Sequence, residues 1–520
     1  MNAPYFKARQ QSFGKSFFRA ASAVLFVLTL GSAVFAGCSK DAAPEKQANA
    51  EKWTKIMDDG GKRPDLILAF QAEIHEKFYQ KAAREFGESH NCTVKLMHVR
   101  HDMLMEPLQD AMDVGGDVPD VVELLEGTMG YFAAGPLEKV GFVDLTDRLK
   151  EEGYMNPDKM VQSRYSLWSS RGHIFAIPCN VHPVALCYRV DLIQKLGIDV
   201  TKLKTWDDFV KVGRQITGEW EETDKALGIV KGSERYMIDL ADDSTISLVI
   251  LLRQHGLDFF TANGDVAFDN PEVADLIAWY VHQTCGPDHI SVPAGDMNPF
   301  YQAMESGRVL FFFTPDWRTM QYTRDLGFNN MAGRPHFLKG KLALMPMPVW
   351  ADENGNRLPG SYATGTWGGS GLAITKHCRN QELAWEFAKF LYMEADEKDS
   401  IDRFKETNII PPIKKVWMAK GFNDDSPFFK QMVRDEQGKL VAVPISLGRF
   451  YASMADDTAP EFCTAYIGEA ETIVKQTFFE ACNHFDKNGE EGMLELIRKR
   501  LKEGADQIRK KIKESGFSAE

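Results

Sequence analysis

The chain has 520 residues, of which 44% are hydrophobic and 26% are charged, values that are ordinary for a folded protein. Its formal net charge of −13 at pH 7 argues against nucleic acid as a partner, because an acidic surface repels phosphate backbones. The eight cysteines are too few over this length for a disulfide-dense scaffold, although one or two bridges are possible.

The first 37 residues are typical of an export signal. Basic residues precede an uncharged stretch at 20–35, which is shorter than the ~20 residues that span a bilayer and runs into small residues. Cys38 then stands where the bacterial lipobox places its lipid-modified cysteine, although Phe35 replaces the usual leucine. An ordinary export signal with a chance cysteine is the alternative. We predict a lipid anchor at Cys38 and a periplasmic or extracellular location.

Residues 38–63 are mostly Ala, Lys, Glu and Gln, a composition that predicts a flexible tether. Because the signal holds four basic residues and no acidic ones, the remainder carries −17. A surface of this charge does not favour adsorption on anionic lipid, so the acyl anchor would have to hold the protein at the membrane.

Strands and helices are predicted to alternate from residue 65 onward. A short apolar run at 65–70 predicts a buried strand, and Ile74, Phe78, Ala82 and Phe86 recur at helical spacing. Further strands are predicted at 94–99, 120–124, 309–314, 342–347 and 371–375. Helices are predicted to begin at Thr205 and at Asn270, and to cover about 380–393, 460–485 and 490–514. This rhythm predicts the α/β class, with a parallel sheet flanked by helices.

Several sequence blocks occur in a familiar order and spacing. They are GDVPDVV at 116–122, GYFAAGPL at 130–137, VDLT at 143–146, HIFAIP at 173–178, ALCYR at 185–189, KTWDD at 204–208, FYQAMESG at 300–307, TPDW at 314–317, GGSGLAI at 368–374 and ELAWEFA at 382–388. Taken together, these blocks resemble the sugar-type extracellular solute-binding proteins, the family that includes maltose-binding protein. The resemblance covers most of residues 64–455.

This resemblance implies a two-lobe periplasmic-binding-protein fold, type II-like, with a hinge and a ligand cleft between the lobes. Carried over, the first lobe comprises 64–179 and 364–408, and the second comprises 180–363 and 409–520. It also implies the receptor of an ABC importer, which would bind a sugar or oligosaccharide and deliver it to membrane permease subunits. We expect a monomer with no cofactor and no metal site.

A sugar needs directional hydrogen-bonding groups for its hydroxyls and flat aromatic rings for its apolar faces. Ligands of α/β sheets lie beyond the carboxyl ends of strands, which favours residues placed just after a predicted strand. On these grounds and on the resemblance, the predicted ligand-binding residues are Glu126, Asn180, His182, Asp316, Trp317, Trp367, Gly368, Gly369, Arg449, Phe450 and Tyr451.

Three alternatives remain open from the sequence. Asn180 and His182 could point into the cleft or could only satisfy hinge backbone. The same fold could serve a sensor or take a non-sugar ligand, because a fold does not settle function. A secreted carbohydrate-active enzyme would need two carboxylates across one bond, and Glu126 with Asp316 could form such a pair. No hydrolase, zinc-protease or phosphate-binding motif supports the enzyme.

Overall fold

A computed structural model describes residues 42–58, 60–242, 244–295, 298–326 and 338–514. The predicted signal and Cys38 lie outside the described residues. The helices are α1 (Ala42–Met57), α2 (Glu76–His90), α3 (Glu106–Asp113), α4 (Thr128–Phe132), α5 (Thr146–Glu151), α6 (Val190–Lys195), α7 (Trp206–Ile216), α8 (Ile246–His255), α9 (Pro271–Thr284), α10 (Asn298–Glu305), α11 (Asp316–Asp325), α12 (Gln381–Tyr392), α13 (Glu397–Thr407), α14 (Leu447–Ala455), α15 (Ile467–Asn488) and α16 (Met493–Glu514).

The strands form two main sheets and one short hairpin. They are β1 (Leu66–Phe70), β2 (Val94–His98), β3 (Val121–Leu125), β4 (Ser169–Ser170), β5 (His173–Ile174), β6 (Ala176–Pro178), β7 (Val184–Arg189), β8 (Gly218–Glu219), β9 (Glu234–Ile238), β10 (Val309–Pro315), β11 (Leu342–Pro346), β12 (Ser370–Ile374), β13 (Asp425–Arg434) and β14 (Leu440–Ser446).

The first sheet has the order β2-β1-β3-β12-β6, and the second has the order β14-β13-β11-β7-β10-β9-β8. In the first sheet β1 is parallel to β2 and β3, whereas β12 is antiparallel to both of its neighbours. In the second, β7 runs antiparallel to β10 and β11. The prediction of parallel pairing therefore holds for part of each sheet, since in the second sheet β9 is parallel to β10 and β11 is parallel to β13.

Two predicted helix starts are confirmed by their capping contacts. Thr205 accepts a hydrogen bond from the Asp208 amide while the Asp208 carboxylate accepts one from the Thr205 amide, a reciprocal capping box. Asn270 caps α9 through the Glu272 amide, with Pro271 at the first helical position. Such contacts lie within three residues of each other, so the sequence alone reveals them.

The helix after β1 differs from its predicted face. Ile74 lies in a short 3₁₀ turn and is exposed, whereas Tyr79, Ala82 and Phe86 of α2 are buried. The helical turn begins only at Glu76, so the periodic face starts later than the apolar spacing suggests.

The predicted tether is wrong over most of its length. Helix α1 occupies Ala42–Met57 and packs against α3. Its Trp53 is fully buried, and Asn49 donates from Nδ2 to the Asp110 carboxylate at 2.9 Å. One buried stripe in an otherwise polar segment is enough to dock the helix, although its composition resembles that of a linker.

The last two helices form a hairpin beside α9. The predicted helix at 460–485 begins only at Ile467, because the amides of Glu461 and Phe462 bond to the Ser166 hydroxyl and the Asp258 carboxylate and hold the preceding segment against the body. A disulfide joins Cys285 after α9 to Cys482 in α15. The free cysteines of the described chain are Cys92, Cys179, Cys187, Cys378 and Cys463.

Candidate functional site

Three chain connections link the two sheets: residues 179–183, 364–369 and 408–412. They run side by side and are joined by main-chain hydrogen bonds. The Trp367 amide donates to the His182 carbonyl at 3.2 Å, and the Val181 amide donates to the Ile410 carbonyl at 3.1 Å. A multi-stranded connection of this kind constrains the relative motion of two bodies to a few backbone torsions, as in hinge closure.

Two predicted ligand residues, His182 and Asp316, form a buried pair inside this connection. His182 Nδ1 and Asp316 Oδ1 are 2.6 Å apart. The other carboxylate oxygen of Asp316 accepts from the Ile410 amide at 2.7 Å, and Oδ1 also accepts from the Trp317 amide. Because Asp316 is fully buried and both oxygens are engaged by protein, the predicted role as a hydroxyl acceptor gives way to a structural role in the hinge.

Asn180 also has a structural role in these connections. Its side-chain amide donates to the Ser370 hydroxyl at 2.7 Å, and its carbonyl oxygen accepts from the Ser370 amide at 3.0 Å. The residue is buried, so its hydrogen-bonding groups are used across two of the connections. Of the two readings left open by the sequence, the structure favours hinge support for both Asn180 and His182.

Trp317 and Trp367 come together at the junction of the two sheets. Trp317 stands at the start of α11, immediately beyond β10, and its indole Nε1 donates to the Trp367 carbonyl at 3.0 Å. The two rings lie 5.5 Å apart between centroids and nearly perpendicular, and both side chains are half-buried. The Arg318 guanidinium lies 4.9 Å from the Trp367 ring centroid. This arrangement fixes two partly exposed aromatic rings at a set angle.

Gly368 and Gly369 serve close packing beside this corner. Gly368 has φ of +94°, a conformation that favours glycine, and its carbonyl accepts from Arg164 Nη2 at 3.0 Å. A side chain at Gly369 would come within 2.7 Å of the same guanidinium. The Gly369 carbonyl accepts from the Glu126 amide at 2.8 Å.

A buried charge network lies between the lobes next to Glu126. Arg253 of α8 donates from Nη1 to Glu126 Oε1 at 2.7 Å and lies 2.8 Å from Glu461 Oε2. Glu461 also pairs with Arg164 and accepts from the Thr366 hydroxyl. Arg164 and Glu461 are almost completely buried, whereas the Glu126 side chain is 27% exposed. Each charge therefore has an opposite partner, as burial requires.

The network separates the pKa values of its carboxyl groups. Burial alone would raise the pKa of Glu461, but Arg253 and Arg164 lower it to about 2. Burial raises the pKa of Glu126 above its ordinary value against the attraction of Arg253. Burial likewise raises the pKa of the neighbouring Asp258 to about 6, also against the attraction of Arg253. At neutral pH the Glu461 carboxylate is therefore ionised and fixed in place.

The three residues predicted to contact ligand at 449–451 lie in different environments. Arg449 is exposed and Phe450 is half-buried at the surface of α14. Tyr451 is fully buried, and its hydroxyl donates to the Thr314 carbonyl at 2.9 Å. In this structure Tyr451 therefore packs the core, so its predicted ligand contact is replaced by a structural role. The roles of Arg449 and Phe450 stay predictions.

Sequence reasoning missed Gln71, the first residue beyond β1. Its Oε1 lies 2.9 Å from His101 Nδ1, and its Nε2 is buried without a hydrogen-bond partner in the described chain. The loop that carries it is held by Glu123, whose carboxylate accepts from the Gln71 and Ala72 amides at 3.1 Å and pairs with His75. The preference for residues just beyond the carboxyl end of a strand, which selected Glu126, would also have selected Gln71.

Arg253 and Glu461 were also missed, and no local sequence signal points to either residue. Arg253 lies inside a helix, and Glu461 lies in a segment predicted as helical. Within the described ranges, no group of three or more His, Cys, Asp or Glu side chains could hold a metal ion. The site thus offers aromatic faces, an unpaired amide donor and fixed charges, which are groups for binding a polar molecule.

This architecture defines the class of two-lobe binding proteins. Residues 69–398 match the family described as bacterial extracellular solute-binding protein. The chain belongs to this family, so the predicted membership is confirmed.

Two relatives are arabinooligosaccharide-binding proteins. The protein from Halalkalibacterium halodurans is 23% identical over 73% of this chain and 78% of its own length. That from Bacillus subtilis is 25% identical over 77% of this chain and 78% of its own. Among solved structures, the sugar-binding protein MalE from Xanthomonas citri superposes with a TM-score of 0.62 at 15% identity, covering 86% of this chain and 99% of that one. The predicted two-lobe fold is confirmed.

Family membership places the protein outside the cytoplasm, in the periplasmic or extracellular space. Among the helices that the structure describes, none is long and apolar enough to cross a membrane.

Proposed function

We propose that this protein is the substrate-binding receptor of an ABC importer and that its ligand is an oligosaccharide. The single observation that carries the ligand class is the half-buried Trp317–Trp367 pair at the junction of the lobes. Two rings held at a fixed angle suit the apolar faces of a sugar, because the two side chains lose no conformational freedom when the ligand binds. The relatives named above make arabino-oligosaccharides the first ligands to test.

Polar groups just beyond strands β1 and β3 of the first sheet suit sugar hydroxyls. The unpaired Gln71 amide would donate, and the exposed part of the Glu126 carboxylate would accept. A buried donor without a partner is unfavourable by about 1–3 kcal/mol, so a ligand oxygen at Gln71 would remove that penalty. Glu126 keeps one oxygen on Arg253, which would orient the carboxylate for a hydroxyl.

Binding without catalysis is the better account of the carboxylates. A glycosidase needs an acid and a base or nucleophile facing one glycosidic bond. Asp316 is enclosed in the hinge and Glu126 is paired with Arg253, so this pair does not face one bond in the structure. We therefore infer a receptor that releases its ligand unchanged.

The test is a thermal-shift screen of the chain from Ser39 onward against arabino-oligosaccharides of increasing length, maltodextrins and galacto-oligosaccharides. A ligand that binds the native state raises the unfolding midpoint by mass action, by about 2.7 kcal/mol at 100 times Kd. We expect one sugar class to raise the midpoint and to be recovered intact by mass spectrometry. A cleaved sugar would establish an enzyme, and no shift with any sugar would contradict the ligand class.

We further propose that Cys38 carries the membrane anchor and that ABC permease subunits receive the ligand. Support comes from the lipobox-like sequence and from the family. Fractionation of cells that express wild type and Cys38→Ala tests the anchor: the variant should leave the membrane fraction. Retention of the variant in membranes would show that another segment holds it.

A further inference from the structure

We propose that the oligosaccharide bound by this protein carries a carboxylate, as a uronic acid unit does, and that Arg318 binds this carboxylate. The inference rests on the proposed function, because it names the substrate class for the same site. It adds one charged contact to the Trp317–Trp367 pair. Arg318 is then the residue that distinguishes acidic sugars from neutral ones.

Arg318 lies at the tryptophan pair and is held there by aromatic rings. It follows Trp317 directly in the first turn of α11 and is half-buried. Its guanidinium carbon lies 4.2 Å from the ring centroid of the buried Phe300 and 4.9 Å from that of Trp367. An arginine that stacks on rings keeps its N–H donors, which lie in the guanidinium plane, available for a further partner.

Arg318 has no carboxylate partner among the residues that the structure describes. The two acidic residues of its own helix are engaged elsewhere. Asp316 is enclosed in the hinge. Asp325 accepts from the Tyr301 hydroxyl at 3.0 Å and pairs with Arg324 at 2.8 Å. A partly desolvated cation without a counter-charge is unfavourable, so an anion supplied by a ligand would be bound strongly here.

The position of Arg318 distinguishes it from other stacked arginines. Arg235 in β9 and Arg403 in α13 also stack on rings and have no carboxylate partner in the described chain. Among these three, only Arg318 shares a ring with the tryptophan pair. Tyr236 pairs with Val309 at the start of β10, so Arg235 lies at the opposite end of this strand from Arg318.

The chemistry of one arginine suits a carboxylate. A guanidinium presents parallel N–H donors that match the two oxygens of a planar carboxylate, and such charge-assisted pairs are strong. The Glu126 carboxylate of the first lobe is paired with Arg253, so its charge is already balanced and does not oppose an anionic ligand. Since the chain carries −13 overall, attraction of an acidic sugar has to come from a local cation such as Arg318.

The test compares charged and neutral forms of the same sugar on the chain from Ser39 onward. The probes are oligogalacturonates and xylo-oligosaccharides that carry glucuronic acid, each beside its methyl ester, together with neutral arabino-oligosaccharides. By isothermal titration at pH 7, we expect an acid to bind about ten- to a hundredfold more tightly than its ester. The preference should shrink in about 1 M NaCl, which screens charge interactions.

Two substitutions identify the residue that binds the charge. Arg318→Gln should remove the preference for the acid over the ester while the ester still binds. The matched control is Arg235→Gln, which removes a half-buried cation stacked 4.5 Å from the Trp220 ring centroid and should keep the preference. Circular dichroism checks the fold of both variants. If Arg318→Gln does not fold, Arg318→Lys replaces it, and the loss of the planar fork should weaken the preference.

The outcomes separate this inference from the proposed function. If neutral arabino-oligosaccharides bind and no acid binds more tightly than its ester, the inference is overturned and the sugar receptor stands. A preference for the acid that persists unchanged in the Arg318 variant would also overturn it, because another group would then bind the carboxylate. If no oligosaccharide of either kind binds, the proposed ligand class fails and this inference fails with it.

Discussion

Arg253 and Glu126 form a 2.7 Å contact that joins a helix of the second lobe to the strand-end loop of the first. The same guanidinium nitrogen lies 2.8 Å from Glu461. One cation thus serves two carboxylates on different segments. This contact adds a side-chain link between the lobes to the three chain connections.

Replacing Arg253 by Met should lower the free energy of unfolding by about 3–5 kcal/mol, because Glu461 stays buried with only Arg164 to balance it. Urea titration measures this loss. The matched control is Arg498→Met, which removes an exposed 3.1 Å pair with Asp275 and should change stability by less than about 1 kcal/mol. Equal effects of both substitutions would contradict a special role for the buried network.

The carboxyl of Asp258 should make stability fall as pH rises from about 4 to about 6. Burial raises its folded-state pKa to about 6, so the folded protein holds a proton that the unfolded chain has already released. The loss over this window is on the order of 3 kcal/mol. Asp258→Asn cannot titrate, so its stability should exceed that of wild type more at pH 7 than at pH 4. A constant difference across this range would refute the assignment.

Local chemistry explains what could be predicted from the sequence. The caps at Thr205 and Asn270 involve residues two or three positions away, and the strand β10 is a run of apolar residues that is buried throughout. Trp317 and Glu126, chosen because each follows a predicted strand, do lie at the edges of the sheets. These features require no knowledge of the rest of the chain.

Partners far away in the chain explain what could not be predicted. Asp316 is enclosed by Ile410, 94 residues on, and Asn180 by Ser370, 190 residues on. The local sequence around a carboxylate that follows a strand does not show whether the side chain faces a cleft or a hinge. Helix α1 was missed for a similar reason, since Trp53 is buried only because α3 packs over it.

Trp317→Ala and Trp367→Ala should each weaken binding of the sugar found in the screen by about tenfold, the equivalent of one stacking contact of ~1.4 kcal/mol. Isothermal titration measures the affinity. Both side chains are half-buried, so we expect folded variants, which circular dichroism will check.

Trp317→Phe is the matched control for the hydrogen bond. It keeps an aromatic ring but removes the Nε1 donor to the Trp367 carbonyl. Affinity close to wild type in this variant, together with the loss in Trp317→Ala, would assign the effect to the ring. Unchanged affinity in both alanine variants would show that the ligand binds elsewhere.

The disulfide between Cys285 and Cys482 should stabilise the C-terminal helical hairpin against unfolding. It closes a loop with a sequence separation of 197 residues, and removal of such a link lowers the free energy of unfolding by typically 2–5 kcal/mol. The double substitution Cys285→Ala/Cys482→Ala tests this by urea titration, and hydrogen exchange should show the loss of protection mainly in α9, α15 and α16. Cys92→Ala, at a half-buried free thiol, should leave that exchange pattern unchanged. Faster exchange spread evenly over both sheets would instead mean that the bridge supports the whole fold.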